Sequence, residues 1–413
     1  MEEKLRIDVR ILLITQWFDP EPTFKGLVFA RALQAEGHEV EVITGFPNYP
    51  GGKVYPGYKV KWRQIEYIDG IRINRVPLYP SHDGSALKRI FNYVSFAISS
   101  CLYGLFAVGK PDVVYVYHPP LTVGLSASIV SLFRRVPFVY DIQDLWPDTL
   151  TATGMVRNKY VLSIVSVLCK FVYRSASKLV VLAPGFKKKL IERGVAAQKI
   201  EVVYNWCDEN SLKNYELNHS YAHEFYGRFN IVFAGNMGKA QGLDAVLNAA
   251  KLVKVDVPRA QFVMIGDGVE VGRLKQRVEN ENISNVLFMP RIPMSAVGAA
   301  LGAADVLLVH LKDDPLFSIT IPSKTQAYLA VGKPIIMGVK GDAADLIKQA
   351  KAGVCIDPED SMALARAVEL LANKRQEELL EIGLNAESFY HKNLSLQIGV
   401  RRFSEIFNQL IIK

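Results

Sequence analysis

Short strand-like runs rich in apolar residues recur along this chain, and several are followed by a Gly- or Pro-rich loop or a helical pattern. Val9–Thr15 (VRILLIT), Glu39–Thr44 (EVEVIT), Asp112–Tyr117 (DVVYVY), Phe138–Tyr140, Lys178–Ala183 and Ile200–Tyr204 lie in the first half. Phe229–Gly235 (FNIVFAG), Gln261–Ile265, Val286–Met289, Ala304–Leu311 and Pro334–Met337 lie in the second. Runs of this kind mark strands covered on both faces, as in parallel sheets. Their alternation with helices predicts an α/β chain with two doubly wound domains. A length of 413 residues fits two domains of about 200 residues. The first closes near Cys207, so the boundaries are expected at 1–207 and 208–394. The polar segment 208–228 reads as the linker, and the amphipathic end 395–413 as a helix packing back on the first domain.

Charge is distributed unevenly. Residues 1–206 carry 26 Lys and Arg against 17 Asp and Glu, a balance of +9, whereas residues 207–413 carry 23 against 24. An anionic membrane surface is one partner that such a first half fits. No nucleic-acid partner is expected, because no recognition helix or aromatic–basic motif stands out. Cys101, Cys169, Cys207 and Cys355 are far apart with no CxxC pair. That argues against a structural zinc or a disulfide framework, and fits a reducing compartment. The start, MEEKLRIDVRILLITQWF, has acids first and too short an apolar core for a secretory signal. Phe91–Val108 is an uncharged run of 18 residues diluted by Asn92, serines and Gly104. It reads as a buried or membrane-skimming helix rather than a span.

Several loops carry chemistry. In FSITIPSKTQAYLAVGKPIIM (317–337), Pro322 and Ser323 stand where a helix starts, Lys324–Val331 carries it, and Gly332 and Pro334 end it. A helix N-terminus with a hydroxyl, free N–H groups and a first-turn lysine suits an anion. The loop Gly235-Asn236-Met237-Gly238-Lys239-Ala240-Gln241-Gly242 follows a strand and precedes a helix, the arrangement that cradles phosphate. It is neither a Walker loop nor a GxGxxG fingerprint. Gly26, in the first βα loop, suits either a close ligand approach or a turn. His118 and the pair Asp141 and Asp144 follow strands at their carboxyl ends, where open parallel sheets bind ligands. The loop 45–59, dense in Gly, Pro, Asn and Tyr, is long enough to be functional.

Taken together, TGFPNYPGGK (44–53), DLWPD (144–148), FAGNMGKAQGLD (233–244) and IPSKTQAYLAVGKPI (321–335) resemble family-4 glycosyltransferases. They are most similar to the bacterial O-antigen and capsule branch proposed to transfer N-acetyl-L-fucosamine. The resemblance implies a GT-B fold, in which two facing doubly wound Rossmann-like domains enclose an interdomain cleft. It implies an acceptor-binding, membrane-facing first domain and a second domain for the nucleotide-sugar. Retaining transfer without a metal or other cofactor is expected, consistent with the absence of an Asp-x-Asp triplet. The donor would be a UDP-sugar, and the acceptor a saccharide on a polyprenyl diphosphate at the cytoplasmic face of the membrane.

The family's usual acidic pair, eight residues apart, is replaced here by Ile319 and Ala327, and its loop Arg and Lys by Asn236 and Gln241. The expected donor contacts are therefore Gly26, Gly235, Asn236, Gly238, Lys239, Gln241, Arg291, Thr320, Ser323, Lys324 and Gln326. Lys324 would steady the leaving diphosphate, and His118 would touch the sugar or orient the acceptor. Lys25, Asn48, Tyr49 and Asp144 are expected on the acceptor side, and no metal ligands are expected. An epimerase on UDP-sugars and an inactive scaffold subunit are the alternatives that the residues leave open.

Overall fold

The structure is a computed structural model and describes residues 8–81, 86–152, 155–156, 158–212 and 223–411. The acidic start and residues 213–222 of the expected linker lie outside the described residues. The chain divides into two units. One holds Met1–Leu182, Phe186–Val203 and Gly399–Lys413, and the other holds Ala183–Gly185 and Tyr204–Ile398.

The first unit is built on one sheet of β1 (Arg10–Ile14), β2 (Glu39–Gly45), β3 (Gln64–Ile68), β4 (Ile71–Val76), β5 (Val113–Tyr117), β6 (Phe138–Ile142), β7 (Lys178–Val181) and β8 (Ile200–Val202). Their order is β3-β4-β2-β1-β5-β6-β7-β8. Every pairing is parallel except β3 with β4. β5 and β6 are buried along their whole length, as their apolar runs require. The strand order reverses between β1 and β5, which makes their carboxyl ends the place where such a sheet receives ligands. The β3–β4 hairpin was not anticipated. Its turn is Asp69-Gly70, with φ of 52° and 82°, and Asp-Gly is a preferred pair for a two-residue turn needing positive φ at both positions.

Most of the uncharged run forms a helix over Ala86–Phe106, which begins before the run and includes Lys88 and Arg89. The Arg134 guanidinium donates to the carbonyls of Gly104, Val108 and Gly109 at 2.8, 3.0 and 3.0 Å. It thereby satisfies backbone acceptors that a helix C-terminus leaves open. The helix Leu121–Arg134 packs against both Ala86–Phe106 and Lys159–Ser175. On the far end of the chain, Leu396–Ile411 sets Phe403 and Phe407 against Tyr115 with ring centres 5.3 and 5.9 Å apart. His38 Nε2 also meets Ser404 Oγ at 2.8 Å. No helix among the described residues is long and apolar enough to cross a membrane.

The second unit holds β9 (Phe229–Ala234), β10 (Ala260–Ile265), β11 (Val286–Met289), β12 (Val306–His310), β13 (Ile335–Gly338) and β14 (Gly353–Cys355). They form an all-parallel sheet ordered β11-β10-β9-β12-β13-β14. Its core joins Ile231 and Phe233 of β9, Phe262 of β10, Leu308 of β12 and Ile336 of β13 to Val246, Leu247, Leu364 and Val368 of covering helices. Each such side chain contributes roughly 1.5–3 kcal/mol when fully buried. The order reverses between β9 and β12, so the switch point lies at Gly235 and Leu311.

Candidate functional site

The loop after β9 is fixed by its neighbours rather than by its own sequence. Gly235 N–H donates to Ile265 O at 2.9 Å, and Met237 N–H to Asp267 O at 2.8 Å. A methyl on Gly266 would stand 2.0 Å from Gly235 O, so only glycine permits this approach of backbone to backbone. Lys239–Gln241 forms one short 3₁₀ turn, and the Gly238 N–H donates to Gln241 Oε1 at 2.9 Å. From β12, His310 Nδ1 donates to Gln241 O at 2.7 Å while Nε2 accepts from Glu359 N–H at 3.1 Å. These two bonds fix the tautomer, and burial lowers the imidazole's pKa, so His310 is a neutral strut under the loop. Sequence reasoning passed over His310, although its place at the end of the strand beside the switch point was the available signal.

Lys324 begins the helix Lys324–Val331 and reaches this loop. Its stem is half-exposed, but its nitrogen is buried and has no hydrogen-bond partner among the described residues. Nζ stands 3.4 Å from the centre of the Phe233 ring. A methyl on Gly235 would lie 3.3 Å from it. Burial pulls the ammonium down to about 7. The amides of Asn236 and Ser323 are committed to no acceptor among the described residues. A buried cation thus stands at the switch point beside Gly235, in a loop that also carries an unspent N–H at Asn236, and such a cation favours an anion.

Other expected contacts in this unit are spent locally or stand apart. Ser323 has helical φ and ψ and makes no side-chain cap bond, so the helix start is closed by Thr325 N–H on Pro322 O at 2.8 Å. Thr320 Oγ1 donates to Leu316 O at 2.6 Å. Gln326 is buried, and its amide nitrogen, oriented to find acceptors, donates to the carbonyls of Ser323 and Pro322 at 3.0 and 3.1 Å. Lys239 and Arg291 are exposed.

In the first unit the expected residues gather at the carboxyl ends of β1, β5 and β6. Lys25, expected on an acceptor surface, is instead wholly enclosed and paired with Asp141. Asp141 also accepts from Tyr115 OH and from Gln143 Nε2, each at 2.6 Å. Lys25 therefore organises the sheet's switch point and does not reach a ligand from where it stands. Gly26, expected beside the donor, belongs to this unit and makes room for Asp19. A methyl there would stand 2.1 Å from Asp19 Oδ2, the atom that accepts from Leu27 N–H at 2.6 Å. The glycine thus serves a helix cap.

Asn48 is buried, donating to Phe46 O at 2.9 Å and accepting from Asn92 at 3.3 Å. Tyr49 is half-buried and stacks on Trp17 with centres 4.6 Å apart. Glu21 holds this loop through the N–H groups of Asn48 and Tyr49, both at 2.7 Å, and burial pushes its carboxyl up to about 6. His118 is buried between Tyr140 and Trp146, with ring centres at 5.7 and 5.5 Å. Its Nδ1 has no partner among the described residues, and burial lowers it to about 3, so it is a neutral imidazole at working pH. Asp144 is half-buried with its carboxyl raised by desolvation. Among the described residues no cluster of three or more His, Cys, Asp or Glu is placed to hold a metal ion.

The two units correspond to two known domain types. Residues 27–206 match the glycosyl transferase 4-like domain, and residues 221–389 match glycosyl transferases group 1. The chain is 27% identical over 382 residues to WcaI of Escherichia coli (strain K12), named as a colanic acid biosynthesis glycosyl transferase, covering 87% of this chain and 91% of WcaI. It is 26% identical over 308 residues to WbjE of Pseudomonas aeruginosa, named as a glycosyltransferase, covering 73% of this chain and 76% of WbjE. Among solved structures, Anabaena Alr3699/HepE in complex with UDP-glucose superposes with a TM-score of 0.66 at 15% identity, over 97% of this chain and 100% of that one. A structure described as trehalose-6-phosphate from E. coli bound with UDP-2-fluoro glucose gives a TM-score of 0.73 at 12% identity, over 97% and 99%. At these identities the structural likeness speaks for a shared fold, two Rossmann-like α/β domains of the GT-B type. By its paired domains the chain belongs to the glycosyltransferases, with a glycosyl transferase 4-like domain followed by a group 1 domain.

Proposed function

We propose that this enzyme moves an N-acetylated amino sugar, such as N-acetyl-L-fucosamine, from a UDP-sugar to a saccharide on a polyprenyl diphosphate, in O-antigen, capsule or exopolysaccharide synthesis. The observation that carries the reading is the buried, unpartnered Lys324 nitrogen against the Gly235 loop. A cation held in a dry site and lacking a counter-ion favours a ligand that brings two or more negative charges. The UDP, UDP-glucose and UDP-2-fluoro glucose in the solved relatives support a UDP-sugar as that ligand.

In this reading the N–H groups of Asn236 and Ser323 and the ammonium of Lys324 hold the donor diphosphate. As the glycosidic bond breaks, negative charge grows on the leaving UDP, and Lys324 stabilises it there. The leaving phosphate oxygen accepts the acceptor hydroxyl's proton, so attack comes from the face that UDP leaves and the anomeric configuration is retained. No metal is required for this step, and no cofactor besides the donor substrate. Lys239 and Arg291, both exposed, remain available to the phosphates and base. Asp144 and neutral His118 act on the acceptor side, Asp144 as an acceptor of a sugar hydroxyl.

A membrane partner is supported by the outer faces of two adjacent helices in the first unit, Ala86–Phe106 and Leu121–Arg134. Leu87, Phe91, Val94, Ile98, Leu102 and Phe106 form one stripe along Ala86–Phe106, with Phe106 82% exposed. Leu132 and Phe133 continue it, with Phe133 73% exposed. An apolar face of this size with Lys88, Arg89 and Arg135 about it suits peripheral docking to the anionic inner leaflet of the cytoplasmic membrane. The test is transfer of radiolabelled sugar from UDP to a polyprenyl-diphosphate acceptor in chelator-treated buffer. Label is expected in the lipid fraction with its anomeric configuration unchanged. Label that stays in water, or an inverted product, would overturn the reading.

A further inference from the structure

The DLWPD segment does more than end a strand. Trp146, Pro147 and Asp148 form one wall of a pocket of about 750 Å³ in the first unit. The helix Lys159–Ser175 supplies the facing wall through Ser166, Cys169, Lys170, Tyr173 and Arg174, and Arg193 and Lys199 line the rest. The pocket is charged in one sense. Of its acids, Asp148 is taken by Arg193, which also donates to Trp146 O at 3.2 Å, and Glu192 meets Lys189 at 3.7 Å. Lys170, Arg174 and Lys199 are paired with no carboxylate among the described residues. Lys199 donates to the backbone O of Arg174 at 2.8 Å, which ties it to the end of this helix, and its pKa is lowered by partial burial.

The same helix carries a second, different face. Tyr160, Ile164, Val167 and Phe171 recur at helical spacing and are exposed, Tyr160 by 83% and Phe171 by 51%. Successive residues of a helix lie 100° apart, so Val167 and Phe171 border Ser166 and Lys170 directly. One helix thus presents a cationic pocket and an apolar track edge to edge. That juxtaposition fits an amphiphile with an anionic head and a long hydrocarbon tail.

We propose that this pocket receives the diphosphate of the lipid-linked acceptor, with Lys170, Arg174 and Lys199 as its counter-charges and the isoprenoid chain along the Tyr160–Phe171 track. This rests on the reading that the acceptor is a polyprenyl diphosphate, and it adds where that diphosphate sits. The pocket is larger than one phosphate needs, and its wall residue Trp146 follows the carboxyl end of β6, so the saccharide can extend in that direction.

The test uses the whole protein and phosphatidylcholine vesicles carrying either polyprenyl diphosphate or a charge-matched amount of phosphatidylglycerol. Wild type is expected to bind the diphosphate vesicles more tightly than the phosphatidylglycerol vesicles. The double variant Lys170→Glu/Arg174→Glu is expected to lose that preference by about tenfold or more, the scale set by two lost cations at a lipid surface. Arg401→Glu/Arg402→Glu, an equivalent charge change at two exposed positions of the C-terminal helix, is expected to keep it. Unaltered binding of UDP by the double variant verifies folding and separates this assignment from the donor site. Equal binding of both lipids by wild type would overturn the proposal in favour of general surface attraction. A preference that survives in the double variant would overturn the pocket assignment alone, leaving the lipid-linked acceptor in place.

Discussion

The Lys324 ammonium stands over the ring of Phe233, 3.4 Å from its centre, with no carboxylate or carbonyl in hydrogen-bond reach among the described residues. A ring face compensates a desolvated cation only in part, by about 2 kcal/mol in favourable cases. The fold therefore holds this lysine at a cost until an anion arrives.

The cost is visible in the pH dependence of stability. The unfolded chain keeps Lys324 near 10.5, and the fold lowers it to about 7. Between those values the unfolded state binds more protons, so this group's contribution to stability rises with pH across the window and is most unfavourable below it. Lys324→Met is expected to raise the melting temperature of the second unit in neutral and mildly acidic buffer, by roughly 2–4 °C per kcal/mol recovered. The gain should fade toward pH 10.5. Calorimetric scans across pH check this, and a variant less stable than wild type at every pH contradicts it.

The Lys25–Asp141 pair predicts the opposite response. Both groups are enclosed, so removing one strands the other. Lys25→Met and Asp141→Asn are each expected to destabilise the first unit by about 3–5 kcal/mol. Lys25→Met with Asp141→Leu should cost much less than the two single changes together, because no charge is left unpaired. Urea denaturation of the four proteins measures the coupling.

His310 ties the Gly235–Gly242 loop to Glu359 through bonds on both ring nitrogens. His310→Ala removes the support at Gln241 O and leaves Glu359 N–H without its acceptor. Affinity for UDP is expected to fall about fivefold to tenfold, the worth of roughly 1 kcal/mol for the one bond lost to the loop. The catalytic rate at saturating donor should fall less, and a KM against kcat comparison separates the two.

The apolar stripe predicts a change in location without a change in donor binding. Phe91→Ser/Phe106→Ser/Phe133→Ser removes three exposed rings. Flotation with anionic vesicles is expected to drop by about tenfold or more, given the transfer free energy of such side chains. UDP affinity should be unaltered. Equal flotation of variant and wild type would refute the docking face.

Much of the architecture was legible because a parallel strand is covered on both faces and so reads as an unbroken apolar run. Val113–Tyr117 is of this kind. Helix ends were legible where glycine has a conformational role, as at Gly332 with φ of 71°. The β3–β4 hairpin escaped because its edge strand alternates half-buried and exposed residues, a pattern no apolar run marks, although Asp69-Gly70 signalled the turn. In the second unit, β14 is three residues long, too short for periodicity to register.

The candidate site was legible only in outline. The Gly235 loop and the Lys324 helix each had a local signature, and the structure brings Lys324 Nζ close to Gly235. Lys25 misled because its partner, Asp141, lies 116 residues away, and no local pattern records such a pairing. Gln326 and Thr320 looked available for a ligand because their own backbone acceptors are set by the fold of the turn. The role of His310 depends on Gln241 O and Glu359 N–H, both distant in sequence.

Titration of UDP into wild type and Lys324→Ala tests the central claim most directly. Wild type should bind with an affinity that falls as pH rises through about 7, because the free lysine must then take up a proton to meet the diphosphate. Lys324→Ala should bind about 10–100-fold more weakly at neutral pH, the worth of one charge-assisted contact of ~1.5–3 kcal/mol, and should lose that pH dependence. Equal affinities with parallel pH profiles would show that the diphosphate is held elsewhere.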